Sequence, residues 1–289
     1  MKKILLSLVS FICLIQLSAQ IKEGTISYEK KINIWKRITD ESRRATIPQF
    51  RITHHILLFN DTISLFKTIK EEEAINPFDG GGEGRGSEGR SGGFGGGGGF
   101  GSGRFSRLMG SAEGDLFKSF IEGMSTQATE IAGKNFLITD TIRKQPWKIT
   151  EETKLILGYT CHKATLKQKG MSGGSGNWGG GYRSRRDGDN ASIDTTRRTP
   201  KEVEVVAWFA DKIVAPVGPD NYAQLPGTIL EVNVDDGLME ITATEVNTNV
   251  SAKEVKEPKK GKKVTREEFR NMLMELRKNF GNAAPDAGN

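Results

Sequence analysis

Cysteine is scarce: the 289-residue chain holds two, Cys13 and Cys161. Cys13 sits inside an apolar N-terminal run, so the remainder keeps one thiol and can form no internal disulfide. A disulfide-stapled scaffold is excluded, and stability must come from burying apolar side chains. Long apolar runs are equally rare. Ile4 to Leu17, broken by Ser7, Ser10 and Gln16, falls short of the about 20 residues a spanning helix needs, and no later stretch approaches it. Catalytic signatures are missing too: there is no G-x-S-x-G elbow, no H-E-x-x-H and no P-loop. The acid pairs Glu151-Glu152 and Asp235-Asp236 fall at turns, where solvated carboxylates are expected. Asp187-Gly188-Asp189-Asn190 begins like a calcium loop but lacks the remaining ligands and the terminal Glu. No enzyme activity, cofactor or metal is expected.

What is present starts at the N-terminus. Lys2 and Lys3 precede the apolar run, and the small residues Ser18-Ala19 follow it before Gln20. That order predicts a secretory signal peptide over residues 1–19. Ser10-Phe11-Ile12 before Cys13 do not make a lipobox, so lipidation is not expected. The expectation is an exported chain, periplasmic or associated with the outer membrane, with no transmembrane segment after cleavage. The formal charge of +6 falls by two, to +4, once Lys2 and Lys3 are removed, which is mildly basic and compatible with an anionic partner without naming one.

Strand patterns dominate the rest. Gly24 to Trp35 opens with Ile26 and Tyr28 on one face and Ser27 and Glu29 on the other. Ile52–Phe59 and Thr62–Ile69 flank Asn60-Asp61, a predicted hairpin turn. Thr126–Ile138 alternates loosely. Trp147–Thr150, Lys154–Leu157 and Thr160–Lys167 read as short strands, with a turn or bulge at Gly158. Val203–Phe209 is strongly β. Thr228–Val234 and Leu238–Val246 flank Asp235-Asp236-Gly237, the strongest hairpin signal in the chain.

Helix signals are few. Residues 112–123 read as one short helix. Thr265-Arg-Glu-Glu268 is a capping box, after which Phe269, Met272, Leu273, Leu276 and Phe280 share a helical face until Gly281, giving a helix over 264–281. The charged stretch 253–263, with Pro258, reads as a mobile linker. The helix is expected to dock on its own domain or on a partner.

Two segments, 80–103 and 170–190, are rich in glycine and read as disordered insertions in one β domain over 20–252. Their Gly, Arg and aromatic content invites a single-stranded nucleic-acid reading. Export argues against it, and no nucleic-acid partner is expected.

Three His and one Cys raise a metal question through the pairs His54-His55 and Cys161-His162. Adjacent strand residues face opposite ways, so at most one of each pair could reach a common ion. The more economical reading is a buried thiol and partly exposed imidazoles.

The most distinctive segment is Gly218-Pro-Asp-Asn-Tyr-Ala-Gln-Leu-Pro-Gly227, followed by Thr228-Ile-Leu-Glu-Val232. Gly218-Pro219 and Pro226-Gly227 are paired turn signals, and Tyr222 and Leu225 are placed to pack between them. Leu225-Pro-Gly-Thr-Ile-Leu-Glu-Val232 resembles the signature of the GLPGLI family, with Gln224 where the first Gly usually stands and Thr228 in place of Leu. Phe136-Leu-Ile-Thr-Asp140, Trp147-Lys-Ile-Thr150, Lys154-Leu-Ile-Leu-Gly-Tyr-Thr-Cys161 and Val206-Ala-Trp-Phe209 extend the resemblance over residues 24–245. It implies an exported protein of Bacteroidota-type bacteria, in a family with no established activity. Its members are often encoded near TonB-dependent outer-membrane receptors, which suggests such a receptor as partner.

The architecture expected is all-β: a curved antiparallel sheet or open half-barrel with one C-terminal α-helix. Its binding candidates are Tyr222, Leu225, Pro226, Gly227 and Trp208. Two roles follow. One is a non-enzymatic accessory binding protein of the envelope, using this loop. The other is a carrier of a lipid or lipidated protein, which would need an apolar groove lined by Phe59, Leu65, Phe66 and Trp208.

Overall fold

Alternation becomes structure in the first strand. The computed structural model describes residues 20–38, 41–69, 114–131, 133–169, 202–248 and 255–282. Residues 1–19, predicted as a signal peptide, and both glycine-rich stretches lie outside them. In β1 (Gly24–Asn33) every second side chain is buried, and Ile26, Tyr28, Lys30 and Ile32 form the inner row. Eleven further strands follow: β2 (Phe50–Phe59), β3 (Ile63–Thr68), β4 (Leu116–Ser119), β5 (Met124–Ile131), β6 (Lys134–Thr141), β7 (Lys148–Ile156), β8 (Tyr159–Lys169), β9 (Glu202–Ala210), β10 (Thr228–Val234), β11 (Met239–Asn247) and β12 (Lys262–Thr265). All join one sheet in the order β12-β6-β5-β4-β3-β2-β1-β11-β10-β9-β8-β7, whose two ends do not close. The strand pairs are antiparallel except β12 on β6, which is parallel.

The tight turns use the expected chemistry. Asn60 accepts from the backbone N–H of Thr62 and Ile63 at 2.9 and 2.8 Å. Leu157 and Gly158 both take positive φ, the two-residue hairpin geometry whose twist matches its strands. Asp235, Asp236 and Gly237 also take positive φ in the longer turn between β10 and β11.

Several expectations are corrected. The stretch expected to be helical around 112–123 contains β4, all four of whose residues are buried. A strand covered on both faces loses the period-2 signal, which is why Leu-Phe-Lys-Ser did not read as one. Thr126–Ile138 is two strands, turned at Gly133 with φ of 72°. The two runs within 147–157 are one strand, with a register irregularity between Ile149 and Thr153. The predicted linker 253–263 is tied down over its described residues, 255–263: Val255 is buried against Leu58, Leu65 and Phe117, and from Lys262 the chain is strand. The C-terminal helix, Arg266–Asn282, carries the predicted cap, with Glu268 accepting from the Thr265 N–H at 2.8 Å. It runs one residue past Gly281 and docks on its own domain. Phe269 and Leu273 are buried against Ile131, Phe136 and Ile138.

The sheet must be strongly curved. Lys118 on β4 reaches Asp220, and Gln168 on β8 reaches Tyr222. Those strands are seven steps apart in the sheet, about 34 Å if it were flat. Their two targets are neighbours in one loop, within about 7 Å of each other. The main core fills the concave side and draws on β1 to β4 and β7 to β11, and on the β9–β10 connection itself through Ile213, Ala215, Val217, Tyr222 and Leu225. The Tyr28 hydroxyl ties the two halves together by donating to the Ile229 carbonyl at 2.5 Å inside this core. Tyr28→Phe strands that carbonyl, and a loss of about 1–3 kcal/mol is expected as a lower urea midpoint. An unchanged midpoint would show that the bond contributes nothing.

Candidate functional site

The β9–β10 connection, Asp211 to Gly227, folds back into the concavity and plugs it. Its course is set by glycines that cannot be replaced. A Cβ on Gly218 would lie 2.8 Å from the Tyr222 carbonyl oxygen, and one on Gly227 would lie 2.3 Å from that of Ala210. Backbone groups are satisfied against the strands: Thr228 N–H donates to Ile213, Ile229 N–H to Val217, and Val214 N–H to Ile21. The Thr228 hydroxyl donates to Ala215 at 2.8 Å.

A second set of bonds joins the plug to the segment before β7. Gln145 is the hub. Its Nε2 donates to Asn221 and its Oε1 accepts from Ala223 N–H. Its own N–H donates to the Gln224 side chain at 2.9 Å. Trp147 Nε1 donates to the Ala223 carbonyl at 2.9 Å, and its ring centroid lies 6.3 Å from that of Tyr222.

The charged centre is Asp220, held at a φ of 52°. Lys30 Nζ lies 3.4 Å from its carboxylate. Lys118 Nζ donates to its backbone carbonyl at 2.5 Å. Both lysines are buried, at 6 % and 4 % exposure. His55, buried beside them, stacks on Phe66 and bonds to Thr53 and Thr68. Burial works to raise the Asp220 carboxyl. Lys30, Lys118 and His55 outweigh it, so the group titrates below the usual carboxylate range. Burial lowers Lys118 to about 8, against the opposing pull of Asp220. Burial, and then the charge of Asp220, raises the Tyr222 phenol.

The sequence candidates separate in space. Tyr222 and Leu225 are core residues of the plug and Gly227 is buried against β9, leaving Pro226 exposed. Trp208 does not join them. Between buried Ala207 and Phe209 it is only partly buried at the margin of the main core, with Lys154 Nζ 4.4 Å over its ring and 2.7 Å from Glu231. Within the distinctive segment 218–227 the exposed residues are therefore Asn221 and Pro226, with Asp220 and Gln224 partly exposed. Lys30, Lys118 and Asp220 were not among the sequence candidates. Lys30 carried a signal, a charge in the row that otherwise holds Ile26, Tyr28 and Ile32.

The His and Cys residues do not converge. Cys161 is buried, His162 lies 3.4 Å from Asp211, and His54 lies 3.8 Å from Glu29. Among the described residues no group of three or more His, Cys, Asp or Glu is placed to hold a metal ion. No described helix is long and apolar enough to cross a membrane.

Fold and site together define an open single-sheet β protein whose concavity is stoppered by its own β9–β10 connection. Residues 147–231, from the start of β7 through the plug into β10, match the family described as Protein of unknown function (Porph_ging). No curated protein matches the chain. Two solved structures of PNGF-II, in space groups C2 and P21, are similar at a TM-score of 0.46 and 13% identity. The similarity covers 88% of this chain and 33% of theirs, so the chain spans a third of their length.

Proposed function

We propose that the chain is an exported, non-enzymatic accessory binding protein of the cell envelope that works beside a TonB-dependent outer-membrane receptor. The observation that carries this reading over the carrier is the plug. Ile213, Ala215, Val217, Tyr222 and Leu225 occupy the space a cargo would need. The four residues that a carrier groove would need are split. Phe59 and Phe66 are in the filled core, Leu65 is in a separate cluster on the outer face, and Trp208 packs only partly buried at the margin of the main core with Lys154 over its ring. Binding then falls to exposed surface, and the rim at Asn221 and Pro226 is the part of the distinctive segment that a partner can touch.

The GLPGLI assignment belongs to the same proposal. Gln224, where that signature has its first Gly, holds a φ of 69°. Glycine adopts that conformation without strain. Gln224 adopts it too, and its side chain accepts from Gln145. A positive φ at this position is what a glycine there would adopt freely, which supports the assignment.

Cross-linking of the tagged chain in its native host, followed by purification of the envelope fraction, tests the reading. Recovery of a TonB-dependent receptor, lost when Asn221 and Pro226 are both changed to Arg, is the expected result. A stoichiometric lipid bound to the purified chain would replace this reading with the carrier. Recovery of the chain alone would remove both.

A further inference from the structure

The last described segment wraps the edge of the sheet rather than extending it. Val255 lies on the outer face against Leu58, Leu65 and Phe117, and Glu257 accepts from the Thr126 hydroxyl at 2.7 Å. Gly261 then passes so close to Asn135 that a Cβ would lie 2.9 Å from its carbonyl carbon. β12 pairs with β6 from Lys262↔Phe136 to Thr265↔Thr139. The C-terminal helix turns onto the inner face, where Phe269 meets Phe136 edge to face at 5.6 Å. Arg266 forms an ion pair with Asp140 on β6. Residues 255–282 are therefore a strap: outer face, edge, inner face.

Two properties make the strap separable. Its apolar contacts form two clusters of their own, distinct from the main core. Its strand is also the parallel one, at the end of the sheet beyond β6. Everything that selects it as the occupant of the β6 edge is written in this same sequence: Val255, Gly261, Val264, the Thr265–Glu268 cap, Arg266, Phe269 and Leu273. A second copy carries the same fit.

We infer that the β6 edge is an exchangeable docking site, and that its second occupant is the strap of another copy of this chain, giving a reciprocal dimer. Each strap makes the same contacts in either arrangement, so concentration and the connection to β11 decide between them. A tethered strap sees an effective concentration of roughly millimolar. The wild-type chain is then monomeric at micromolar concentration and exchanges when its own strap is handicapped.

Charge reversal across the Arg266–Asp140 pair tests this in the full-length chain. Asp140→Arg and Arg266→Asp each oppose strap docking within one molecule and within a like pair. Mixed, each body meets a strap of the opposite sign. Each variant alone is expected to be a monomer with fast amide exchange at Val264. The equimolar mixture is expected to form a mixed dimer by native mass spectrometry, with Val264 protected again. The Asp140→Arg/Arg266→Asp chain is expected to return to a protected monomer. A mixture that stays monomeric and unprotected overturns the proposal.

A second variant decides the case if the single changes prevent folding. Asn247, at the end of β11, pairs with Thr25, which pairs with Leu58. Val255 packs on Leu58 and beyond, roughly 10 Å or more from β11. Deleting residues 249–254 leaves two residue steps from Asn247 to Val255, at most about 7 Å, too short to close within one molecule. A dimer is expected. A monomer with Val264 still protected overturns the proposal.

Discussion

Gly227→Val should yield no stably folded protein, and Gly227→Ala should lose at least about 3 kcal/mol, the upper range for an overpacked core. The position ends the plug as β10 begins. An added Cβ would stand 2.3 Å from the Ala210 oxygen, 2.8 Å from its carbon and 3.1 Å from Phe209 Cδ2. A flexible side chain could move aside, but Ala210 cannot. It is paired to Thr228 on one side and to Cys161 on the other, so relief means breaking two ladders. Whole-domain stabilities are about 5–15 kcal/mol, which makes this loss a large fraction of the total. Pro226→Ala is the control. Pro226 is exposed, and such surface changes usually stay within about 0.5 kcal/mol. Urea unfolding of the three chains measures the contrast. A Gly227→Ala chain as stable as wild type would show that the plug is not seated against β9.

That clash is invisible in the sequence, which offered Gly227 as a turn residue and as a binding candidate. Local features were legible because they follow from local chemistry. The Ile26/Tyr28 alternation, the Asp235–Gly237 turn and the Thr265–Glu268 cap need only near neighbours, and the structure has all three. Features set by pairing partners were hidden. Leu116–Ser119 has no alternation because both its faces are covered, so β4 read as helix. Lys262–Thr265 is too short and too basic to announce a strand, and it becomes one because the β6 edge offers hydrogen bonds at that point. The charged centre was partly legible. Lys30 occupies an apolar row, and a charge there must be paired or expensive. Lys118 had no row to violate, and Asp220 sits in a Gly-Pro-Asp-Asn turn where an exposed acid is ordinary. Only the fold brings residues 30, 118 and 220 together.

The same centre gives the chain an unusual pH response: its stability should rise from pH 8 to 9, level off, and fall above pH 10. Lys118 titrates at about 8 in the folded chain, against 10.5 as the ordinary value. Between those values the unfolded chain holds a proton that the folded one has released. Stability then increases with pH, by roughly 1.4 kcal/mol per unit for one such group. Cys161 acts oppositely. Burial raises it to about 11 from 9.0, so from pH 9 to 11 the folded chain keeps a proton that the unfolded one loses. The two slopes cancel between about 9 and 10. Above 10 the Tyr28 and Tyr222 phenols, both raised by burial, add to the decline. At the acid end Asp220 contributes stability above the ordinary carboxylate range, and that stability is lost as pH falls through its lowered value. Lys118→Met should remove the rise, so that its stability is flat to pH 9 and then falls. Cys161→Ala should turn the plateau into a continued rise to about pH 10, where the phenols take over. Urea midpoints for the three chains between pH 7 and 10.5 separate the contributions. A wild-type curve that falls steadily from pH 8 would mean that the Lys118 ammonium is solvated rather than buried against Asp220, and the plug would then lack its inner anchor.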